Sequence, residues 1–154
     1  PAGGCRAGDA QESEHAEETG SMIPSDEPSW FEDDVVIAIH GRQLAEHGGS
    51  EGIRDRSMLD SALAKPQQLW AYANPDLYAL AAAYAFGLSK NHPFVDGNKR
   101  IAAVICETLL DLYGREVKLS EAEKYVEYYA LAAGEHTEES FATWLRENSG
   151  PLKD

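Results

Sequence analysis

Residues 91–100, NHPFVDGNKR, place a histidine, a carboxylate, an amide and two adjacent cations between two apolar segments. His92 falls at the expected end of one helix, where the C-terminal dipole favours a protonated imidazole. An imidazole in this position can accept a proton near neutral pH, so His92 is a candidate general base.

The second half of this segment has the residue types of an anion site. A helix that begins near Asn98 presents unpaired backbone N–H groups, which suit a phosphate, and Gly97 lets a bulky anion approach the backbone. The Asn98 amide can donate to a phosphate oxygen, and Lys99 and Arg100 can neutralise its charge. Asp96 offers hard oxygen ligands, which suit Mg²⁺ that bridges phosphate oxygens.

A base, a metal ligand, an anion cradle and two cations within ten residues favour phosphate transfer from a nucleotide. The alternative is a polar turn between helices. In that interpretation Asp96 is a cap, His92 bonds to backbone, and Lys99 and Arg100 are solvated. Each residue singly fits the turn, whereas the combination favours an active site.

The elements that must position this segment are helical. Alanine, leucine and aromatic residues dominate, and β-branched runs are few. A first helix is expected in DDVVIAIHGRQLAEHGG, capped by Asp33 or Asp34 and stopped by Gly48. A short second helix is expected to begin with Ser57 as its cap and to end at Pro66.

The third helix, which leads into the polar segment, is expected to have Asn74 as N-cap and Pro75 at its first position. The fourth leaves the segment and stops at Gly114, and REVKL after it is a short extended piece. Ser120 and Glu123 form a capping box for the fifth, and TEESFATWLREN is the last. The sequence therefore predicts an all-α bundle of about six helices with at most a short extended segment.

The charge is unevenly distributed along the 154 residues, whose formal net charge is −14. Residues 1–34 hold ten acids and one base, so residues 1–33 are interpreted as an acidic flexible tail or an upstream or non-native addition, with a regulatory arm as the alternative. Residues 34–150 are the expected single domain. They present no basic face, which argues against nucleic-acid binding.

Other features of the composition bound the setting of the protein. The longest nearly apolar run, LYALAAAYAFGL, has twelve residues, whereas a membrane span needs roughly 20. The N-terminus lacks the apolar segment of a signal peptide. Cys5 and Cys106 do not form a disulfide framework, which fits a reducing cytoplasm.

HPFVDGNKR resembles the Fic/Doc (Fido) signature H-x-F-x-[DE]-x-N-[GK]-[RK], specifically its Doc, or death-on-curing, version. IHGRQLAEHGG, GIRDRSMLDSALAKPQ and YALAAAYAFGLSKNHPFVDGNKRIAA resemble successive blocks of Doc-type toxins, over roughly residues 34–147. The resemblance implies a Fido-type bundle that uses ATP and Mg²⁺. His92 would activate a hydroxyl of a target protein, Asp96 would hold Mg²⁺, and Gly97, Asn98 and Arg100 would bind the nucleotide phosphates.

Two positions depart from the pattern of typical Fic adenylyltransferases. Lys99 stands where they have a second glycine, and Ala103 where they have a distal arginine. The resemblance implies a reversed nucleotide with Lys99 shaping how the phosphates sit, and hence phosphorylation of a protein hydroxyl. It also implies a toxin that blocks translation through elongation factor Tu and a small antitoxin that docks in a groove. The alternatives are AMP transfer and a catalytically silent Fido module that only binds a partner.

TWLREN fits the Fic self-inhibitory pattern [ST]-x-x-x-E-[GN], with Glu147 as the inhibitory residue. The arginine that would pair with it is replaced by Ala103, so we expect instead a capped terminal helix that buries Phe141, Trp144 and Leu145.

Four further residues carry charge or imidazole near the expected site. Arg54 and Arg56 could face the site or its target, or form a capping loop with ion pairs; the two interpretations are equally supported. His40 and His47 lie seven residues apart, which is not the i, i+4 spacing of a metal site, so they are expected in the core or at its rim. Trp30, Trp70 and Tyr72 could line a partner groove, and core packing is expected for Trp70 and Tyr72.

Overall fold

Six α-helices and one two-stranded sheet make up the part of the chain that the computed structural model describes, which is Pro24 and residues 26–153. The tail predicted over residues 1–33 lies mostly outside it. The helices are α1 (Asp33–His47), α2 (Arg56–Tyr72), α3 (Leu77–Asn91), α4 (Asn98–Leu112), α5 (Glu121–Ala132) and α6 (Glu138–Asn148). Strands β1 (Arg115–Val117) and β2 (Ser149–Pro151) pair antiparallel, with Arg115 opposite Pro151. The all-α prediction is confirmed.

Helix α3 is the centre of the molecule. Eleven of its 15 residues are buried, and it packs against α2, α4, α5 and α6. Small side chains make this possible, because alanine and glycine let neighbouring helices approach closely. A Cβ built on Gly87 would lie 3.2 Å from the Cα and the carbonyl oxygen of Ala62 in α2. α3 therefore ends at the polar segment with its direction fixed on several sides.

The predicted bounds of α2 are wrong at both ends. Its N-cap is Asp55, whose carboxylate accepts from the backbone N–H groups of Ser57 and Met58. Pro66 does not end the helix, which continues to Tyr72. Proline costs the helix one N–H donor, but residues on both sides of it, Leu63 and Leu69 among them, pack against the core and hold the helix together.

Two other caps differ from prediction. Glu32 precedes α1, and Asp33 and Asp34 lie inside its first turn, where the Asp33 carboxylate pairs with Arg56 at 2.6 Å. The N-cap of α3 is Asp76, not Asn74. Pro75 was predicted at the first helical position and lies before the cap instead. The Asp76 carboxylate also pairs with Arg146, a contact with a distant segment that the local sequence does not show.

The remaining boundaries were predicted well. Gly48 follows α1, Gly114 follows α4 with a φ of 76°, and Ser120 and Glu123 form the capping box of α5. REVKL contains β1, but its partner β2 was not predicted, because SGP has no strand propensity of its own. Helix α6 buries Phe141 and Leu145, with Trp144 half-buried.

Tyr72 contradicts its predicted place in the core. It is the last residue of α2 and is 90% exposed, because the pattern that buries α2 ends one turn earlier. Among the helices described, none is long and apolar enough to span a bilayer.

Asp76 joins two helix ends, and its replacement should be costly. Its carboxylate accepts from the Ala79 N–H and from both Nε and Nη2 of Arg146, at 2.8 to 3.0 Å. We expect Asp76→Ala to lower the free energy of unfolding by about 2 kcal/mol, because it removes a cap and leaves Arg146 without its partner. Urea denaturation measures this. Asp60→Ala, which removes only an exposed partner 3.8 Å from Arg56, is the control and should cost under about 0.5 kcal/mol.

Candidate active site

The polar segment forms the loop between α3 and α4, and a left-handed residue stands at each end of it. His92 ends α3 with φ 48° and ψ 56°, and Gly97 begins α4 with φ 78° and ψ 21°. Among the described residues, His92 is the one non-glycine residue with positive φ. Such backbone strain is concentrated at functional sites, where surrounding contacts enforce it.

Asn98 fastens the loop to the core. Its Oδ1 accepts from the Phe94 N–H at 3.0 Å, and its Nδ2 donates to the Phe94 carbonyl at 2.9 Å. Both residues are buried, so these bonds satisfy backbone groups that water cannot reach. The Asn98 side-chain amide therefore stabilises the loop, and its contact with a phosphate stays a prediction.

His40 of α1 holds the same loop through two contacts. Its ring stacks on Phe94 with centroids 3.8 Å apart, and its Nε2 lies 2.8 Å from the backbone oxygen of Asp96. The prediction of a core or rim histidine is confirmed for His40, which is 4% exposed, and is wrong for His47, which is exposed at the end of α1. The sequence contained a signal for burial, because Val36, His40 and Leu44 recur every four residues, but no signal for the carbonyl contact.

Arg54 holds the third side of the loop. Its Nε donates to the His92 carbonyl at 2.6 Å and its Nη2 to the Asn91 carbonyl at 2.8 Å, so it caps the C-terminal end of α3. Arg56 pairs with Asp33. Arg54 therefore caps a helix and also faces the candidate site through the His92 carbonyl, and Arg56 forms the predicted ion pair; contact of either arginine with a target stays a prediction. The His92 side chain itself is exposed.

Asp96 presents an ordered carboxylate. Its Oδ1 accepts from the Gly97 N–H at 2.8 Å and its Oδ2 from the Ser50 N–H at 3.0 Å. These two bonds, with Arg100 nearby, hold the pKa of Asp96 below its ordinary value, so the group is ionised at neutral pH. A Cβ on Gly49, whose φ is 127°, would lie 3.0 Å from Oδ2, so only glycine leaves this carboxylate undisturbed.

The Asp96 carboxylate fits a magnesium ion bound mostly by other ligands. Asp96 is exposed, and each of its carboxylate oxygens accepts one hydrogen bond from a backbone N–H. Each oxygen therefore has a further lone pair available for a metal ion. Within residues 24–153 as described, no cluster of three His, Cys, Asp or Glu side chains could hold a metal. Mg²⁺ commonly takes one or two carboxylates and completes its shell with water and substrate phosphates.

A cleft of about 630 Å³ opens between the start of α4 and the side of α5. Its residues from the loop and α4 are Asp96, Gly97, Asn98, Lys99, Arg100, Ala103 and Glu107. Those from α5 are Glu121, Ala122, Lys124, Tyr125 and Tyr128. The structure therefore brings five of the six predicted site residues together on one wall, and His92 lies at the opposite end of the loop.

The cleft is cationic near the loop. Lys99 and Arg100 are both exposed, and neither forms an ion pair with a described carboxylate. The Lys99 Nζ lies 5.7 Å from the centre of the Tyr129 ring, and Arg100 Nη1 lies 3.5 Å from the Gly48 carbonyl. Both cations are free to meet an anion at the start of α4.

The far end of the cleft, past Ala103, has a different character. Glu107 accepts from Lys124 Nζ at 2.8 Å and from the Tyr128 hydroxyl at 2.9 Å. Lys124 also pairs with Glu121 at 2.9 Å, so two carboxylates share one cation there. The sequence did not predict that Lys124, Tyr128 and Glu121 of α5 line a site, because their spacing is that of an exposed amphipathic helix face.

Glu147, considered as a self-inhibitory residue, is exposed on α6 and does not line the cleft. The alternative prediction, a capped terminal helix, is confirmed by the Thr137 cap.

Comparison with known proteins gives a consistent match. A family model described as Fic/DOC family matches residues 30–110, which is more than half of the chain. Toxin Doc of Mycolicibacterium smegmatis is 42% identical over 69 residues, which are 44% of this chain and 53% of that protein. The chain thus spans about half the length of this curated relative.

The fold also matches a solved structure. BepC, a VirB-translocated Bartonella effector protein from Bartonella tribocorum solved with bound AMPPNP, superposes with a TM-score of 0.53. The match covers 94% of this chain and 87% of that one at 13% sequence identity, so the likeness concerns the fold.

Removing the Asn98 clamp should destabilise the protein. Asn98→Ala leaves the buried N–H and carbonyl of Phe94 without partners, and we expect the free energy of unfolding to fall by about 2 kcal/mol. Lys99→Ala, an exposed change at the next position, is the control and should change it by under about 0.5 kcal/mol. Equal denaturation midpoints for Asn98→Ala and the unmodified chain would contradict the clamp.

Proposed function

The chain belongs to the Fic/DOC family, and we propose that it transfers the γ-phosphate of ATP to a hydroxyl group of a protein target. The observation that carries this proposal is the uneven distribution of charge along the cleft. At one end Lys99, Arg100 and the first N–H groups of α4 lie beside the single carboxylate of Asp96, and at the other end two carboxylates share the cation Lys124.

The cationic end is the proposed phosphate site. The first backbone N–H groups of α4, with Lys99 and Arg100, would bind the phosphate oxygens. Asp96 would hold Mg²⁺, which neutralises charge on the transferring group when bound. His92, at the other end of the loop, would take the proton of the attacking hydroxyl. Since the side chain of His92 is exposed, a target protein can reach it.

The carboxylate end favours phosphate transfer over AMP transfer. In AMP transfer the α-phosphate faces the hydroxyl, and a pyrophosphate tail must be held beyond it. Past Arg100 the cleft offers Ala103 and then two carboxylates, Glu107 and Glu121, which share the single cation Lys124. The net negative charge of this group repels a pyrophosphate. In the reverse direction the γ-phosphate lies at the start of α4, and the nucleoside occupies the far end.

The residues at that far end suit a nucleoside. Glu107 and Glu121 can accept hydrogen bonds from ribose hydroxyls. Tyr125 lines the same wall with 60% of its surface exposed, so its ring is available to a base. BepC, which shares this fold, was solved with AMPPNP, which agrees with an ATP-type nucleotide here.

The relative named Toxin Doc supports the biological setting that we propose. The protein would act in the cytoplasm as the toxin of a toxin–antitoxin pair. It would phosphorylate elongation factor Tu and so block translation, and a small antitoxin docked in a groove would restrain it. Aligned residues cover about half of that relative, so its target and partner are proposals for this chain.

The transferred group identifies the reaction. The full chain is incubated with purified elongation factor Tu and ATP labelled at the α- or the γ-phosphate. We expect the γ label on the target, and a loss of at least about 100-fold in rate for His92→Ala, because a general base contributes that much or more. Asp60→Ala, a change at an exposed residue of α2 that does not line the cleft, is the control and should retain full activity.

The other outcomes decide between the alternatives. Transfer of the α label would show an adenylyltransferase. Transfer of neither label, to elongation factor Tu or to any protein in a lysate, would favour a silent binding module.

Nucleotide binding tests the direction of the ligand. We expect Tyr125→Ala to weaken ATP binding about tenfold and to leave inorganic tripolyphosphate binding unchanged, because a base stacked on tyrosine contributes about 1–3 kcal/mol. Isothermal titration calorimetry measures both. Tyr72→Ala removes a more exposed tyrosine far along the chain and serves as the matched control. Equal loss for ATP and tripolyphosphate would place phosphates, not the nucleoside, at Tyr125.

A further inference from the structure

We propose that His40 is a positioning residue for Asp96. Its Nε2–H donates to the Asp96 carbonyl and thereby fixes the position of the Asp96 carboxylate, the proposed Mg²⁺ ligand. The inference rests on the proposed function for its catalytic meaning, and on geometry alone for its structural content. His40 touches neither the cleft nor its proposed ligands, since it does not line that cavity.

The hydrogen bond fixes the protonated nitrogen. The partner of His40 Nε2 is a carbonyl oxygen 2.8 Å away, and a carbonyl only accepts, so Nε2 carries a hydrogen. With the ring 4% exposed, water does not compete for this oxygen. Losing the donor would leave a carbonyl of the loop unsatisfied at the point where the Asp96 side chain branches off.

The ring controls a second point of the loop. It is stacked on Phe94 with an interplanar angle of 11°, so His40 holds the residues on both sides of Val95. Its Nε2 also lies 3.5 Å from where a Cβ of Gly97 would be, directly under the first turn of α4. One side chain of α1 therefore sets the backbone from Phe94 to Gly97.

The carboxylate depends on that backbone. The carboxylate accepts hydrogen bonds from the Ser50 and Gly97 N–H groups, and both bonds require the Asp96 backbone to keep its position relative to α1. Ser50 follows α1 directly through Gly48 and Gly49, so the donor and the support belong to neighbouring segments. A shift of the Asp96 backbone would break the Ser50 bond first.

Two substitutions separate the donor from the ring. Phenylalanine at position 40 retains the stack on Phe94 and lacks the donor, whereas glutamine retains a donor and lacks the aromatic ring. If the hydrogen bond positions Asp96, His40→Phe should be impaired and His40→Gln should largely recover. Val36→Ala, a core truncation one turn earlier on the same face of α1, controls for lost stability.

The experiment uses the full chain and two measurements. Titration with Mn²⁺–AMPPNP, followed by electron paramagnetic resonance, should show about tenfold weaker binding for His40→Phe, the size typical of residues that orient a metal ligand. Amide hydrogen exchange by NMR should show faster exchange at Ser50. His40→Gln should stay within about threefold of the unmodified chain in affinity, and Val36→Ala should match it.

Each outcome has a defined meaning. Unchanged affinity and unchanged Ser50 exchange in His40→Phe overturn the proposal, as does equal impairment of His40→Phe and His40→Gln. If the unmodified chain does not bind Mn²⁺–AMPPNP, the proposed function fails, while faster Ser50 exchange in His40→Phe would still support the positioning of Asp96. If His40→Phe does not fold, His40→Leu, which also lacks the donor, replaces it.

Discussion

The site depends on one constraint, which is that a loop between two buried helices must find partners for its backbone polar groups. Phe94 is 1% exposed, so its N–H and carbonyl cannot be solvated. Asn98 bonds to both groups. His40 bonds to the Asp96 carbonyl, and Arg54 bonds to the Asn91 and His92 carbonyls at the end of α3. Side chains from α1, from the segment before α2 and from the start of α4 thus hold the backbone between Asn91 and Asp96. The strained conformation of His92 persists because these contacts hold it.

This support leaves the functional groups of the loop free for chemistry. The side chains that hold the loop point to its backbone, whereas His92, Asp96, Lys99 and Arg100 remain exposed. In a chain with net charge −14, the start of α4 is a local exception, where Lys99 and Arg100 adjoin and form no direct ion pair with a described carboxylate. The carboxylates of Glu107 and Glu121 lie at the other end of the cleft, so the charge differs between its two ends.

Much of the fold was predictable because the signals are local. Helix periodicity, the Ser120–Glu123 capping box and the stops at Gly48 and Gly114 all follow from neighbours in sequence. The errors occurred where tertiary contacts decide. Asp76 prevails over Asn74 as a cap because Arg146, seventy residues on, holds the same carboxylate, and α2 continues through Pro66 because its later turns pack on the core.

The site divides in the same way. The motif residues are contiguous, so the sequence identified them, including Asp96 to Arg100 on one cleft wall. It did not identify the α5 wall or the His40 bond, since both join residues from different elements; Glu107 and Lys124 are 17 residues apart in sequence, and His40 and Asp96 are 56. Burial of His40 follows from the four-residue period it shares with Val36 and Leu44, but no period specifies a hydrogen-bond acceptor.

The contact between Gly87 and Ala62 has a consequence for how this sequence can vary during evolution. Any side chain at position 87 would push the α2 backbone by a few tenths of an ångström, since its Cβ would lie 3.2 Å from Ala62. The same helix begins next to Arg54 and Asp55, whose N–H groups bond to the Pro93 carbonyl. A substitution in the middle of α3 would therefore be transmitted to the loop between α3 and α4. We expect position 87 to be restricted to glycine, although it does not line the cleft.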